Sequence, residues 1–183
     1  MASHRQRRID NEWALLAELA RANPGSLDGL SRSRDAEADF FRVTLHHTAA
    51  LAGSPPDRRR VDSHVVDFRF TAYYPAVPVE AFLSVPVFHP NVHPDNGFVC
   101  LWTRGSTGDT IITALVRLQN VIGWRLHNAS PDHLMQPEAL AWLASGPDLP
   151  LPCTPLEIPA SLLLELNWRQ PPAEFRRRLS NPV

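Results

Sequence analysis

The sequence contains no lysine; all 18 of its Lys-plus-Arg residues are arginine. Two compatible readings explain this. One is codon usage in a GC-rich genome. The other is chemical. Arginine stays protonated and is no nucleophile at neutral pH, so the chain presents no reactive side-chain amine. Cysteine is nearly absent. Cys100 and Cys153 do not make a disulfide framework. No apolar run approaches the roughly 18 residues of a membrane span. The basic stretch Met1 to Arg8 is not followed by an apolar segment of signal-peptide type. These features point to a cytoplasmic protein with no membrane partner. An excess of positive charge is also lacking. A net charge of −1 argues against a nucleic-acid binder, which is usually basic overall. His46, His47, His64 and His93 form no helix-borne His-x-x-x-His pair and accompany no paired cysteines, so neither a metal nor a cofactor is expected.

What is present supports one domain with a tail. The 183 residues and 44% hydrophobic content are enough for a real core. Ile9 to Ala22 reads as an amphipathic helix, with Ile9, Trp13, Leu16, Leu19 and Ala20 at helical spacing, Asp10 and Glu12 favouring its start, and Pro24-Gly25 ending it. Strand patterns follow. A short one lies around Leu27 to Ser31. Ala38 to Thr48 places Phe41, Val43 and Leu45 on one side. His64 to Tyr74 places Val66, Phe68, Phe70 and Ala72 on one side. Ala81 to Phe88 places Ala81, Leu83, Val85 and Val87 together. One-sided alternation predicts a four-stranded antiparallel meander sheet with one wet face. Ala49 to Asp62 reads as an exposed hairpin loop solvated by Arg58, Arg59 and Arg60.

Asp109 to Gly123 reads as a helix capped by Asp109 or Thr110, with Ile111, Ile112, Leu115, Leu118 and Ile122 as its apolar stripe. Pro137 to Leu143 begins another. The fold class is α+β, with helices at both ends of the sheet's sequence. Gly146 to Pro159 holds five prolines and cannot be regular helix. Ala160 to Trp168 and Ala173 to Leu179 read as short helices. The expected division is a domain over 1–145 and a Pro-rich extension over 146–183. Leu162, Leu163, Leu166 and Trp168 are too apolar to leave in water, so the extension should pack on the domain or on a partner.

The chemistry concentrates between His89 and Leu101. His89-Pro90-Asn91 ends nine positions ahead of Cys100, and the turn signal Pro94-Asp95-Asn96-Gly97 lies between. Asn-Gly supplies the positive φ of a tight turn, so the chain can fold back and set Cys100 near Asn91. A thiol beside a neutral amide suits acyl transfer, in which sulfur attacks and an amide stabilises the oxyanion. On local sequence alone, Cys100 within Phe98-Val99-Cys100-Leu101-Trp102 reads as a buried small hydrophobe; the upstream motif and the element order carry the catalytic reading.

This stretch resembles the active site of ubiquitin-conjugating enzymes. The resemblance rests on Tyr74-Pro75, the run Ala81 to Phe88, His89-Pro90-Asn91, Gly97 and Cys100-Leu101, and it covers roughly Arg5 to Leu143. It implies a UBC-like fold with an active-site loop between sheet and helices. It implies that Cys100 accepts a ubiquitin-like modifier as a thioester from an activating enzyme and passes it to an amine on a protein substrate. His89 and Pro90 would organise the turn, and Asn91 would be either an oxyanion donor or a loop brace. The basic first helix, with Arg5, Arg7 and Arg8, would dock on the activating enzyme, unless those arginines only solvate a chain end. The loop before the third helix would hold the gate for an incoming lysine. Here His133 falls closest to that position, with Asp132 beside it; the alternative is that Asp132 or Ser130 caps the next turn.

The chain departs from the family pattern at Ala76 and at Ser106-Thr107-Gly108-Asp109, where ligases dock. That implies a bacterial, operon-encoded relative of the kind associated with antiphage defence, working without a separate ligase. Two other readings stand beside this one: an inactive module of the same fold that only binds a modifier, and a cysteine hydrolase with Cys100 as nucleophile and His127 or His133 as base.

Overall fold

The computed structural model describes residues 3–53, 57–103 and 108–166. Helix α1 (His4–Ala22) leads into strands β1 (Leu27–Arg34), β2 (Ala38–Leu45), β3 (Ala50–Ala52), β4 (Arg59–Val61), β5 (His64–Thr71), β6 (Glu80–Leu83) and β7 (Phe98–Val99). Helix α2 (Ile111–Ile122), a single 3-10 turn (Pro131–His133), α3 (Pro137–Leu143) and α4 (Ala160–Leu166) follow. No helix among the described residues is long and apolar enough to cross a membrane.

The sheet has five antiparallel strands in the order β1-β2-β5-β6-β7, not the four expected from alternation. The added strand, β7, immediately precedes Cys100 and pairs Val99 with Ala81 and Phe98 with Phe82. Two residues carry no readable period, so its place is set by its partner strand. The run expected to continue to Phe88 stops at Leu83, because Pro86 has no N–H to give a ladder. Val85 therefore leaves the inner face and is 62% exposed, while Ala81, Leu83 and Val87 are buried.

Inward alternation builds the core. Val66, Phe68 and Phe70 of β5 and Phe41, Val43 and Leu45 of β2 are buried, whereas Ala72 lies past the strand end and is exposed. Helix α1 starts before Ile9 because the Ser3 side chain accepts from the Gln6 N–H and caps it. Ile9, Leu15, Leu16 and Leu19 face the core, and Trp13 meets Phe41 edge-on at 5.1 Å. Helix α2 is capped by Thr110 in a reciprocal pair with Thr113, and Asp109 is not its cap.

The hairpin expected over residues 49–62 forms, but it is not wholly exposed. β3 and β4 pair as a hairpin that carries Ala50 and Ala52 into the interior and bonds Leu51 O to Phe88 N at 2.6 Å. Arg59 and Arg60 are exposed as expected. Arg58 instead stacks over the rings of Phe88 at 4.5 Å and Trp142 at 4.7 Å, a cation–π contact that pins the hairpin to α3.

The described part of the segment after α3 is bonded to the domain at several points. Thr154 N–H donates to His47 O, and Asn23 exchanges two hydrogen bonds with the Glu157 backbone at 2.7 and 2.8 Å. Leu156 and Leu162 lie in the same core cluster as the sheet residues, and Leu163 is 42% exposed. The helix expected over Ala173 to Leu179 lies outside the described residues, as does Trp168.

Candidate active site

Gly97 makes the turn that returns the chain to the sheet. Its φ is +70°, and a Cβ there would lie 2.0 Å from Leu83 O, so only glycine fits. Asn96 Oδ1 accepts the Phe98 N–H at 2.9 Å and closes the turn. Cys100 then runs antiparallel to Asn91, its N–H donating to Asn91 O at 2.9 Å. The fold-back expected from the Asn-Gly signal is thus realised by a backbone bond between the two residues.

His89 lies beneath this loop and is fully buried. Its Nδ1 accepts the Asn91 N–H at 3.1 Å, which places the ring proton on Nε2, and its ring packs edge-on against Trp124 at 4.6 Å. Burial, with His127 nearby, pushes its pKa down to about 3. His89 therefore stays neutral and shapes the turn. Pro90 O receives the Met135 and Gln136 N–H groups at 2.7 and 3.3 Å.

Asn91 is 2% exposed and uses its whole amide on one segment. Oδ1 accepts the Asn128 N–H at 2.7 Å, while Nδ2 donates to Asn128 O at 2.7 Å and to His133 O at 2.8 Å. Both Nδ2 protons thus have carbonyl acceptors, which is the geometry of a loop brace. That brace delivers His133 to the sulfur: Cys100 Sγ lies 3.0 Å from His133 Nδ1 and 3.7 Å from Trp102 O. Cys100 is half-buried. Burial pushes its thiol up, and the charge of Arg117 offsets part of this. Asp132 is exposed in the 3-10 turn, and Ser130 makes no side-chain cap there. His127 is exposed.

The three N-terminal arginines separate. Arg5 is clamped, with Nη1 on Asp39 at 2.7 Å and Nη2 on Phe70 O at 2.7 Å and Thr71 O at 2.9 Å. Arg8 pairs with Glu12 at 3.0 Å and lies 6.0 Å from the Tyr74 ring centre. Arg7 is exposed.

Glu12, expected to favour the start of α1, lies inside a helix that begins at His4 with no acidic residue in its first turn, and no sequence signal pointed to Arg117, Trp102 or Gln136. Glu12 is fully buried, accepts from Tyr74 O–H at 2.6 Å and from Ile111 N–H at 2.8 Å, and so ties α1 and the Tyr74-Pro75 turn to the start of α2. Burial raises its pKa, against the pull of those bonds and of Arg8. A signal for it existed: Glu12 shares the helical face of Ile9, Leu16 and Leu19. Arg117 Nε holds Leu101 O at 2.9 Å, Trp102 Nε1 holds Val79 O at 2.8 Å, and together they fasten the chain after the thiol. Gln136 Nε2 bonds Val87 O and Val92 O at 2.9 and 2.8 Å across the His89 turn. No signal nearby in sequence marks these three. Among the described residues, no group of three or more His, Cys, Asp or Glu is arranged to hold a metal ion.

Buried neutral His89 gives a sign-definite pH dependence. Its folded pKa of about 3 lies below the ordinary 6.5, so the unfolded chain binds the extra proton between those values and stability falls as pH falls. The loss from this group is about 3 kcal/mol at pH 4. His64, also lowered by burial, acts in the same direction. Urea unfolding at pH 7 and pH 4 should show a pH-linked loss about 3 kcal/mol smaller in His89→Gln than in wild type. An equal loss in the two proteins would mean His89 titrates normally.

No protein-family model matches the chain, and no curated protein matches it. Among solved structures, it is similar to the ubiquitin conjugating enzyme E2 UbcA1 from Agrocybe aegerita, at 19% identity and a TM-score of 0.49, over 81% of this chain and 99% of that one.

Proposed function

We propose that the protein is a conjugating enzyme for a ubiquitin-like modifier. Cys100 takes the modifier's C-terminal carboxyl as a thioester from an activating enzyme and passes it to an amine on a protein substrate. The observation that carries the reading is the closed loop in which His89-Pro90-Asn91 receives Cys100 through the 2.9 Å backbone bond from Cys100 N–H to Asn91 O. It leaves a half-buried thiol on a fixed backbone with an imidazole beside it. The lysine-free composition agrees, since a carried acyl group meets no side-chain amine of its own chain.

The second reading, a cysteine hydrolase, is favoured by the 3.0 Å contact between Cys100 Sγ and His133 Nδ1. One assay separates them. The protein is mixed with an activating enzyme, ATP and a ubiquitin-like modifier, and run on a gel without reductant. A reductant-sensitive adduct is expected. Release of modifier from a preformed conjugate, with no adduct, would move the assignment to the hydrolase. With a panel of modifiers, neither change would leave a binding module.

Arg7 is the exposed cation of the N-terminal trio and is our candidate for the activating-enzyme contact. Arg7→Ala should slow charging several-fold at low salt, with the deficit fading as salt rises, since exposed charges are screened beyond about 10 Å at 0.1 M. Arg5→Ala, which breaks a clamp, should lower the melting temperature instead. A salt-independent effect of Arg7→Ala, or none, would return it to a solvated chain end.

A further inference from the structure

We infer that His133 is the general base for Cys100 itself, so that one imidazole carries the proton through both half-reactions. The identity of the acyl group rests on the conjugation reading; the thiol–imidazole pair does not.

Asn91 holds both members of the pair. Its backbone carbonyl fixes Cys100 through the 2.9 Å bond from Cys100 N–H. Its side chain fixes His133 through the 2.8 Å bond to His133 O, and fixes both backbone groups of Asn128 at 2.7 Å. On either side of His133 the backbone is tied again: His133 N–H to Ser130 O at 2.9 Å, and Met135 N–H to Pro90 O at 2.7 Å. The 3.0 Å separation of Sγ and Nδ1 is therefore set by one residue acting on two sequence-distant segments. A half-buried thiol whose charged form is disfavoured by burial must lose its proton as it attacks, and the basic atom within reach is Nδ1. Around the pair, Arg117 of α2 acts electrostatically on the sulfur, and Asp132 flanks His133 but is exposed. Arg104 lies outside the described residues.

In charging, the Cys100 S–H proton moves to His133 Nδ1 as sulfur attacks the carbonyl carbon of the activating enzyme's thioester. The new C–S bond forms, the old one breaks, and the proton passes to the departing thiolate. In discharge, a neutral amine attacks the Cys100 thioester and a C–N bond forms. One N–H proton moves to Nδ1, the C–S bond breaks, and the Cys100 thiolate recovers that proton. No oxidant or reductant enters. A gate that acts on the incoming amine alone would serve only the second step.

The test needs neither modifier nor activating enzyme. In a Cys153→Ser background Cys100 is the sole thiol, and its alkylation by iodoacetamide is followed by mass spectrometry from pH 6 to 10. His133→Ala should slow alkylation about 10-fold to 100-fold at pH 7. The variants should converge at high pH, where the thiolate forms unaided. His133→Gln should behave like His133→Ala, because an amide hydrogen-bonds but accepts no proton. Equal rates at pH 7 in a folded His133→Ala protein would overturn the inference, and so would a wild-type rate in His133→Gln. If alkylation responds as stated but no thioester is ever charged, the pair stands and the conjugation reading falls. If charging works and alkylation ignores His133, the reverse holds.

Discussion

Cys100→Ala should leave no adduct with the modifier, and Cys100→Ser should leave one that reductant cannot release. The first follows because the attacking atom is gone. The other thiol, Cys153, lies in a separate segment and contacts Thr48 Oγ1 at 3.7 Å, well apart in the chain from the His89 turn. The second follows from the leaving group. A serine hydroxyl in place of the thiol still meets His133, so it can be acylated, though more slowly because a hydroxyl is the weaker nucleophile. The oxygen ester it forms is less reactive toward amines than a thioester, so modifier accumulates on the enzyme. The check is a charging reaction split between reducing and non-reducing gels. Wild-type adduct should vanish with reductant, the Ser adduct should persist, and the Ala lane should be empty. Normal charging of the Ala variant would remove Cys100 from the mechanism and turn attention to Cys153.

Asn91→Ala should slow charging and discharge together and lower the melting temperature. An oxyanion donor would act mainly where the tetrahedral oxyanion collapses toward amide. A brace acts wherever His133 is needed. The geometry is that of a brace, with three hydrogen bonds from one buried amide to Asn128 and His133. Removing it leaves those backbone groups without partners, at about 1–3 kcal/mol for each that water does not reach. The net cost should fall near 2–3 kcal/mol, or roughly 5–10 °C in melting temperature for a chain of this size. Both rates should drop about 10-fold to 100-fold as His133 leaves the sulfur. Asn91→Asp should do no better, because a carboxylate cannot donate to the two carbonyls. A variant that charges normally, melts normally and fails only in discharge would restore the oxyanion role.

The two results are coupled. If Asn91 acts through His133, the double variant Asn91→Ala, His133→Ala should be no slower than His133→Ala alone, whereas independent roles would multiply.

Several features could be read from the sequence because their causes lie within a few residues. Alternation in Val66, Phe68 and Phe70 predicts one buried face. Pro137 starts α3 as expected, and Asn96-Gly97 predicts the turn before Cys100. The apolar stripe from Ile111 to Ile122 predicts α2, with an error of only a residue or two at its ends. Each signal is a torsional preference or a periodicity, which neighbouring residues set by themselves.

Tertiary structure decided the rest. Strand β7 exists because Phe98 and Val99 meet β6, and two residues alone carry no pattern. Glu12 lies on an apolar helix face, yet its partners are Tyr74 and Ile111, in distant parts of the chain. Arg5 lay in a basic run that read as a docking or solvated surface, but the end of β5 and Asp39 hold it. Most decisive is the site. Sequence by itself determined that Cys100 follows a His-Pro-Asn turn and could fold back toward it. That Asn91 spends its amide on Asn128 and His133, and thereby sets an imidazole 3.0 Å from the thiol, depends on where α2 returns the chain. Hydrogen bonds of that reach are fixed by the path of the backbone in space, and no local propensity encodes them.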